Sequence, residues 1–273
     1  MGDPCDPAIY PPVTLAGSLA ELNSRIEWFI DPDRPLEPGP FVIVVDDFYL
    51  DPDKIRQIAL GAPFFQYFPP TRDQVGEKAS RFTGLQPSWF STALVRYMGE
   101  EVSKPEMGFR YNPADLRHRF QDLLNESVTT ETWDSLGDWW NGAFHQINQH
   151  WQGRGAAIHH HYRTGDVFPR GWSGVVYLSP DPQPWSGTSI WRHKETSKCI
   201  ASQGIRYYQG PDILDHFDLA FLVENRYNRL LLFRENILHR VETGFGTGRE
   251  ARLTQTFFFR TNRYANGSVA NFA

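Results

Sequence analysis

Three consecutive histidines, His159, His160 and His161, are the residues of this sequence whose type and spacing first suggest chemistry. Side chains alternate between the two faces of a β-strand, so His159 and His161 would project together while His160 points away. Two imidazoles on one face can bind a single metal ion, and a third ligand is then expected from a neighbouring strand. His239, in the hydrophobic segment 236–241, is the natural candidate. A surface histidine cluster with a separate half-buried His239 is the alternative.

Arg252 follows His239 by 252 − 239 = 13 residues and begins an alternating polar face that continues with Thr254 and Thr256. If this face lies inside the fold, the guanidinium must meet an anion, because an unpaired buried charge is very costly. A guanidinium matches a carboxylate through two hydrogen bonds, and a threonine hydroxyl can add another. We therefore expect Arg252 and Thr254 to bind a carboxylate. The alternative is that Arg252 faces solvent and that only the opposite face of its strand belongs to the core.

Four further residues are candidates for contact with a bound molecule. The Tyr177 hydroxyl would reach an oxygen of such a molecule if it faces the interior, although an ordinary backbone hydrogen bond is an equally good alternative. Asn148, Trp191 and His193 lie on or beside predicted strands and are candidates for binding a substrate.

The composition describes a folded protein of one large or two small domains, with 273 residues, 40% hydrophobic and 22% charged. A net charge of −5 gives no excess of positive charge for a phosphate backbone, which argues against a dedicated nucleic-acid binder. Cys5 and Cys199 cannot form a disulfide framework. No secretory signal and no apolar run of about 18 residues is present, so we predict a cytoplasmic protein that does not bind membranes.

The elements that must position these residues are helices in the first half of the chain and short strands in the second. Residues 1–40 are rich in proline and are predicted to form an arm over a single domain that spans residues 41–273. A strand is predicted over 41–45, followed by a helix that Asp51 caps and Pro52 begins. Further helices are predicted around 89–101, 115–124 and 130–140, and within an insertion over 194–228 that carries a helix at 212–224. The predicted strands of the second half are 144–150, 156–162, 172–179, 188–193, 230–234, 238–241 and 253–260. This order favours an α+β fold, a double-sheet β core with the N-terminal helices packed on one sheet.

Over about residues 41–262 the chain resembles the prolyl-hydroxylase-like members of the non-haem iron, 2-oxoglutarate-dependent oxygenase superfamily. That family carries His-x-Asp/Glu, a hydrophobic strand, a glycine turn, a distal His and an Arg about a dozen residues later. The matching pieces here are His159-His160-His161, residues 172–179, Ser186-Gly187-Thr188, His239 and Arg252-Leu253-Thr254.

The resemblance implies a distorted double-stranded β-helix (jelly roll), ferrous iron, 2-oxoglutarate and O2. It implies oxidation of a C–H bond of a small-molecule or amino-acid-derived substrate. The iron ligands would be His159, His161 and His239, and the residues that bind 2-oxoglutarate would be Arg252, Thr254 and Tyr177.

His161 stands where the family has its carboxylate ligand, which departs from the usual set of two histidines and one carboxylate. His161 ligates the metal itself, or Asp166 from the following loop supplies the carboxylate, or the site has lost iron chemistry. The spacing of His159 and His161 favours the first interpretation. Two other functions stay open: a three-histidine metal dioxygenase that does not use 2-oxoglutarate, and a metal-free binding module on the same fold.

Overall fold

Two antiparallel sheets and three helices make up the described part of the chain in this computed structural model. The structure describes residues 42–66, 89–93, 108–134, 141–151, 158–161, 171–197, 199, 207–208 and 213–262. The predicted arm over residues 1–40 lies outside the described residues. The helices are α1 (Pro52–Gly61), α2 (Ala114–Leu124) and α3 (Thr130–Asp134). The strands are β1 (Val42–Val45), β2 (Phe65–Gln66), β3 (Trp89–Ser91), β4 (Ala143–Ile147), β5 (Ile158–His159), β6 (Gly171–Tyr177), β7 (Thr188–His193), β8 (Tyr207–Tyr208), β9 (Phe217–Val223), β10 (Leu230–Arg234), β11 (His239–Val241) and β12 (Arg252–Arg260).

The two sheets differ in size and share no strand. The larger sheet has the order β1-β10-β6-β12-β4-β3-β2, and the smaller has the order β8-β5-β11-β7-β9. Their facing sides pack together through Tyr177, Leu231 and Phe233 from the larger sheet and Ile190 and Phe221 from the smaller. The layer between the sheets is therefore one of three hydrophobic clusters among the described residues, and it is the layer into which strand residues of both sheets point.

The helices pack on the other face of the larger sheet, as predicted. Phe120 of α2 lies 4.9 Å from Phe257 and 5.0 Å from Phe259, measured between ring centroids. Trp133 of α3 stacks against Phe257 at 6.2 Å. Both faces of β12 are thus covered, one by helices and the other by the smaller sheet.

Several predicted elements are confirmed at their boundaries because local signals define them. Asp51 accepts a hydrogen bond from the Lys54 backbone N–H at 3.0 Å, and Pro52 occupies the first turn of α1. The strands predicted over 188–193 and 230–234 match β7 and β10.

Two predicted helices are wrong where the structure describes them. Residues 217–223 form β9, which pairs with β7 along the edge of the smaller sheet, instead of part of a helix over 212–224. Phe217, Leu219, Phe221 and Val223 alternate with the other residues of this segment, which suits a strand. Residues 89–91 form β3 and pair with β4, where a helix over 89–101 was expected. Among the described residues, no helix is both long and apolar enough to cross a membrane.

Candidate metal centre

β5 and β11 bring the three predicted histidine ligands together. His159 pairs directly with His239 across these antiparallel strands, and His161 follows two residues after His159. The ring centroids of His159 and His239 are 4.3 Å apart, those of His161 and His239 4.8 Å, and those of His159 and His161 5.1 Å. One potential ligand atom from each ring lies within 4.8 Å of the others. His161 and His239 are buried and His159 is half-buried, so the alternative of an exposed histidine cluster is wrong.

Two of the three rings are held by hydrogen bonds at Nδ1. The His239 Nδ1 lies 2.8 Å from the carbonyl oxygen of Ile237. Because a carbonyl can only accept, Nδ1 carries the hydrogen and Nε2 keeps its lone pair. The His161 Nδ1 lies 2.6 Å from the Ser173 hydroxyl oxygen. Such partners orient ligating imidazoles and raise their basicity, and neither of them was predicted from the sequence.

Burial keeps His239 in the neutral form that binds metals. Burial, followed by the nearby His159, lowers the pKa of His239 well below its usual value of 6.5. Phe233 lies 4.4 Å from His239, and Phe258 lies 4.9 Å from His161, measured between ring centroids. These aromatic walls exclude water from two sides of the cluster, so a proton competes weakly for the His239 ring.

The donor set fits a transition-metal ion. Imidazole nitrogen suits iron, zinc, copper and nickel. With metal–nitrogen bonds of about 2.1 Å, two ligands of one ion are at most about 4.2 Å apart, so the 4.8 Å limit requires only small ring movements. Within the described ranges no carboxylate joins the cluster. Asp166, the alternative third ligand, lies outside the described residues.

Arg252 lies in the layer between the sheets. Only 1% of its surface is exposed, so the alternative of a solvent-facing guanidinium is wrong. Its Nε donates to the Ser186 carbonyl oxygen at 2.6 Å, and one terminal nitrogen donates to the Gly187 carbonyl oxygen at 3.5 Å. No described carboxylate lies within 4.0 Å of it. Burial lowers the pKa of Arg252 to about 10, against smaller opposing effects of Tyr177 and of the Glu242 carboxylate, so the group is still charged at neutral pH.

Tyr177 and Thr254 accompany Arg252. The two residues pair across β6 and β12, and the Arg252 guanidinium carbon lies 5.6 Å from the centre of the Tyr177 ring. The Tyr177 hydroxyl donates to the Thr188 hydroxyl at 2.8 Å, instead of to the backbone. All three residues are buried.

The register of β7 and β11 relates this group to the histidines. Thr188 pairs with Val241, and Ile190 pairs with His239, two residues further along. Two residues of a strand span about 6.8 Å. The Tyr177 hydroxyl therefore contacts the smaller sheet about 7 Å along the strands from the row that carries His239.

The structure does not bring the three weaker candidates to the histidines. Ile190 points between the sheets, so its neighbour Trp191 points the other way and packs with Ile158 and Leu238. His193 shares that outer face and contacts the Phe217 ring at 5.0 Å.

Asn148 follows the last residue of β4, Ile147, which pairs with Arg252. Its side-chain oxygen accepts a hydrogen bond from the backbone N–H of His150 at 3.0 Å. Asn148 therefore lies at the Arg252 end of the larger sheet and closes a local turn there.

Sequence reasoning missed His145, a buried polar residue of β4. Its Nδ1 accepts a hydrogen bond from the Trp89 indole N–H at 3.0 Å, and its Nε2 lies 3.1 Å from the Thr256 hydroxyl oxygen. Burial, with a smaller effect of the Arg252 charge, lowers the pKa of His145 to about 3. His145 and Ile147 are two residues apart and therefore share one face of the predicted strand, but the local sequence does not indicate that this face lies inside the fold.

Comparison with known proteins finds only distant similarity. No protein-family model and no curated protein matches the chain. Among solved structures, it is similar to HygX from Streptomyces hygroscopicus with nickel, 2-oxoglutarate and hygromycin B bound, at 12% identity and a TM-score of 0.40, covering 81% of this chain and 82% of that chain. Iron-bound HygX gives 13% identity, a TM-score of 0.36 and coverage of 81% and 82%. EctD from S. alaskensis in its apo form is 14% identical with a TM-score of 0.36, and the match covers 85% of this chain and 79% of that chain. Similarity at this level does not by itself assign a fold or a function.

Proposed function

We propose that this protein is an Fe(II)- and 2-oxoglutarate-dependent oxygenase on a distorted double-stranded β-helix. It oxidises a C–H bond of a small-molecule or amino-acid-derived substrate. The observation that carries the proposal is the convergence of three imidazoles from two strands in the same layer as a buried guanidinium that has no described carboxylate partner. His159, His161 and His239 hold the iron.

Three neutral imidazoles leave the full double charge of a ferrous ion uncompensated. A dianionic co-substrate supplies that compensation, which strengthens its attraction to the site relative to a site with a carboxylate ligand. Iron with 2-oxoglutarate and O2 supplies an oxidant that attacks unactivated C–H bonds, and succinate and CO2 are the by-products. The protein binds and orients these partners, and Phe233 and Phe258 keep water from the histidines.

Arg252 binds the far carboxylate of 2-oxoglutarate. Among the described residues, its donors reach two backbone carbonyl oxygens, which are weaker partners for a charged group than a carboxylate. Thr254 adds a hydroxyl on the same face of β12, and Tyr177 adds the aromatic surface beneath the guanidinium. Thr188, which binds the Tyr177 hydroxyl, lies two residues along β7 from the partner of His239, and this spacing of about 7 Å is of the order of the length of a five-carbon dicarboxylate.

Anaerobic titration with Fe(II) and 2-oxoglutarate tests the metal site directly. The iron chelate of a 2-oxo acid has a weak visible charge-transfer band, which we expect in the wild-type protein and not in His239→Ala. His160→Ala is the matched control, because His160 lies between His159 and His161 in the sequence and is also buried, but it is not part of the cluster. Loss of the band in His160→Ala alone, or its persistence in His239→Ala, would contradict the assignment.

The third ligand needs its own pair of variants. We expect His161→Ala to abolish iron binding and Asp166→Ala to leave it intact. The reverse result would assign the carboxylate ligand to Asp166. Circular dichroism of both variants separates loss of a ligand from loss of the fold.

Turnover separates the proposed function from its two alternatives. The proposal requires that O2 consumption in the presence of substrate produces an equal amount of succinate. O2 consumption without succinate would assign a three-histidine dioxygenase that does not use 2-oxoglutarate. Purified protein that takes up no stoichiometric metal, and whose ligand binding survives His159→Ala, would instead be a binding module.

A further inference from the structure

Three polar side chains, Trp89, His145 and Thr256, form a continuous hydrogen-bonded chain on the inner face of the larger sheet. The Trp89 indole nitrogen is 3.0 Å from His145 Nδ1, and His145 Nε2 is 3.1 Å from the Thr256 hydroxyl oxygen. The three residues come from β3, β4 and β12, which are neighbours in the sheet. The chain therefore runs across the strands toward the strand that carries Arg252.

The positions of the hydrogens in this chain follow from the chemistry of its first member. An indole nitrogen can only donate, so His145 Nδ1 must accept. Burial keeps the His145 ring neutral, so its single hydrogen is on Nε2 and is donated to Thr256. The Thr256 oxygen is thus an acceptor toward His145, and its own hydrogen is available to another partner. Among the described residues, none accepts it.

Thr256 also marks the point at which the inner face of β12 becomes accessible. Arg252 and Thr254 are buried, whereas Thr256 and Phe258 are half-buried. Phe258 in turn contacts the His161 ring at 4.9 Å. The Thr256 hydroxyl therefore lies on the inner face of β12, between the guanidinium end and the histidine end of the proposed site.

We propose that Thr256 donates a hydrogen bond to an oxygen of the bound 2-oxo acid, and that His145, held by Trp89, is the positioning residue that turns the Thr256 hydroxyl toward it. The inference rests on the proposed function. The Trp89–His145 pair fixes the direction of donation, so the site presents a donor to a carboxylate or carbonyl oxygen.

The test is calorimetric titration of 2-oxoglutarate into the anaerobic Fe(II) protein. Loss of one hydrogen bond to a charged acceptor corresponds to about 10-fold or more in affinity, so Thr256→Val should weaken binding by at least that factor. Thr256→Ser keeps the hydroxyl and should bind within about 3-fold of the wild-type protein. If Thr256→Val does not fold, as judged by circular dichroism, Thr256→Ala replaces it.

The positioning role of His145 is tested by a double-mutant cycle. His145→Phe should weaken binding several-fold in the wild-type background and have no further effect when Thr256→Val is already present. Nitrogen NMR of the protein without metal should show the His145 ring with its hydrogen on Nε2. Additive effects in the cycle, or a hydrogen on Nδ1, would overturn the positioning role.

The two levels of the proposal fail in different ways. A wild-type protein that binds no 2-oxoglutarate would overturn the proposed function and, with it, the role of Thr256. A wild-type protein that binds 2-oxoglutarate while Thr256→Val binds it equally well would overturn only the inference about Thr256.

Discussion

His145 should make the stability of the folded protein fall as the pH is lowered below neutrality. In the folded protein its pKa is about 3, because the ring is buried and lies near Arg252, whereas in the unfolded chain it is near 6.5. As the pH falls below 6.5, the unfolded chain takes up a proton on His145 that the folded protein does not take up until the pH approaches 3. Stability contributed by the neutral ring is therefore complete above about pH 6.5 and is lost progressively across this window.

The size of the effect follows from the two pKa values. Each unit of pKa difference corresponds to about 1.4 kcal/mol. At pH 5 the solution is about 1.5 pH units below the pKa of His145 in the unfolded chain but still above its pKa in the folded protein. His145 alone should therefore lower the free energy of unfolding by about 2 kcal/mol relative to pH 8. Other titrating groups also make stability depend on pH, so a variant without a titrating group at position 145 is needed as the reference.

The matched variant is His145→Gln, which keeps a polar side chain at this position but does not titrate. Urea unfolding of both proteins, followed by tryptophan fluorescence at pH 8 and pH 5 with a chelator present, gives four free energies. The wild-type protein should lose about 2 kcal/mol more than His145→Gln between the two pH values. A difference below about 0.5 kcal/mol would mean that His145 is not held neutral in the folded protein, and the proton order assigned to the Trp89–His145–Thr256 chain would lose its support.

Three further substitutions test the site and the strands that carry it. Arg252→Met should weaken 2-oxoglutarate binding by about 100-fold without lowering the melting temperature of the metal-free protein, because it removes a buried charge that forms no ion pair with a described carboxylate. Unchanged affinity in the anaerobic titration would refute the role of Arg252. Ser173→Ala should lower iron affinity by about 10-fold in a chelator competition, since Ser173 holds the His161 ring, and equal affinity would show that this contact does not matter. In Gly187→Ala the new methyl carbon would lie 1.8 Å from the Val223 carbonyl oxygen, so the free energy of unfolding measured in urea should fall by about 3 kcal/mol or more. The control is Gly61→Ala, where no atom lies within 4 Å of the new methyl carbon and stability should change by less than about 1 kcal/mol.

Local sequence signals alone determined the parts of this protein that depend on neighbouring residues in the chain. Asp51 and Pro52 set the start of α1 through a cap and a fixed backbone angle. Alternation along a strand put His159 and His161 on one face, and the structure confirms that their rings are close. Such signals act over two to four residues, which is why they can be read without knowing the fold.

Only the tertiary structure decided what lies opposite each face. Residues 217–223 are apolar enough for a helix or a strand, and pairing with β7 selected the strand. Alternation separated Trp191 from Ile190 but could not say which of them faces the histidines, because that depends on where the larger sheet packs. The Ser173 contact with His161 and the neutral state of His145 likewise depend on packing between separate segments of the chain, which exists only once the two sheets have come together. The Ile237 carbonyl that holds His239 is a local partner, two residues away, but which ring nitrogen it binds depends on the conformation that the chain adopts there.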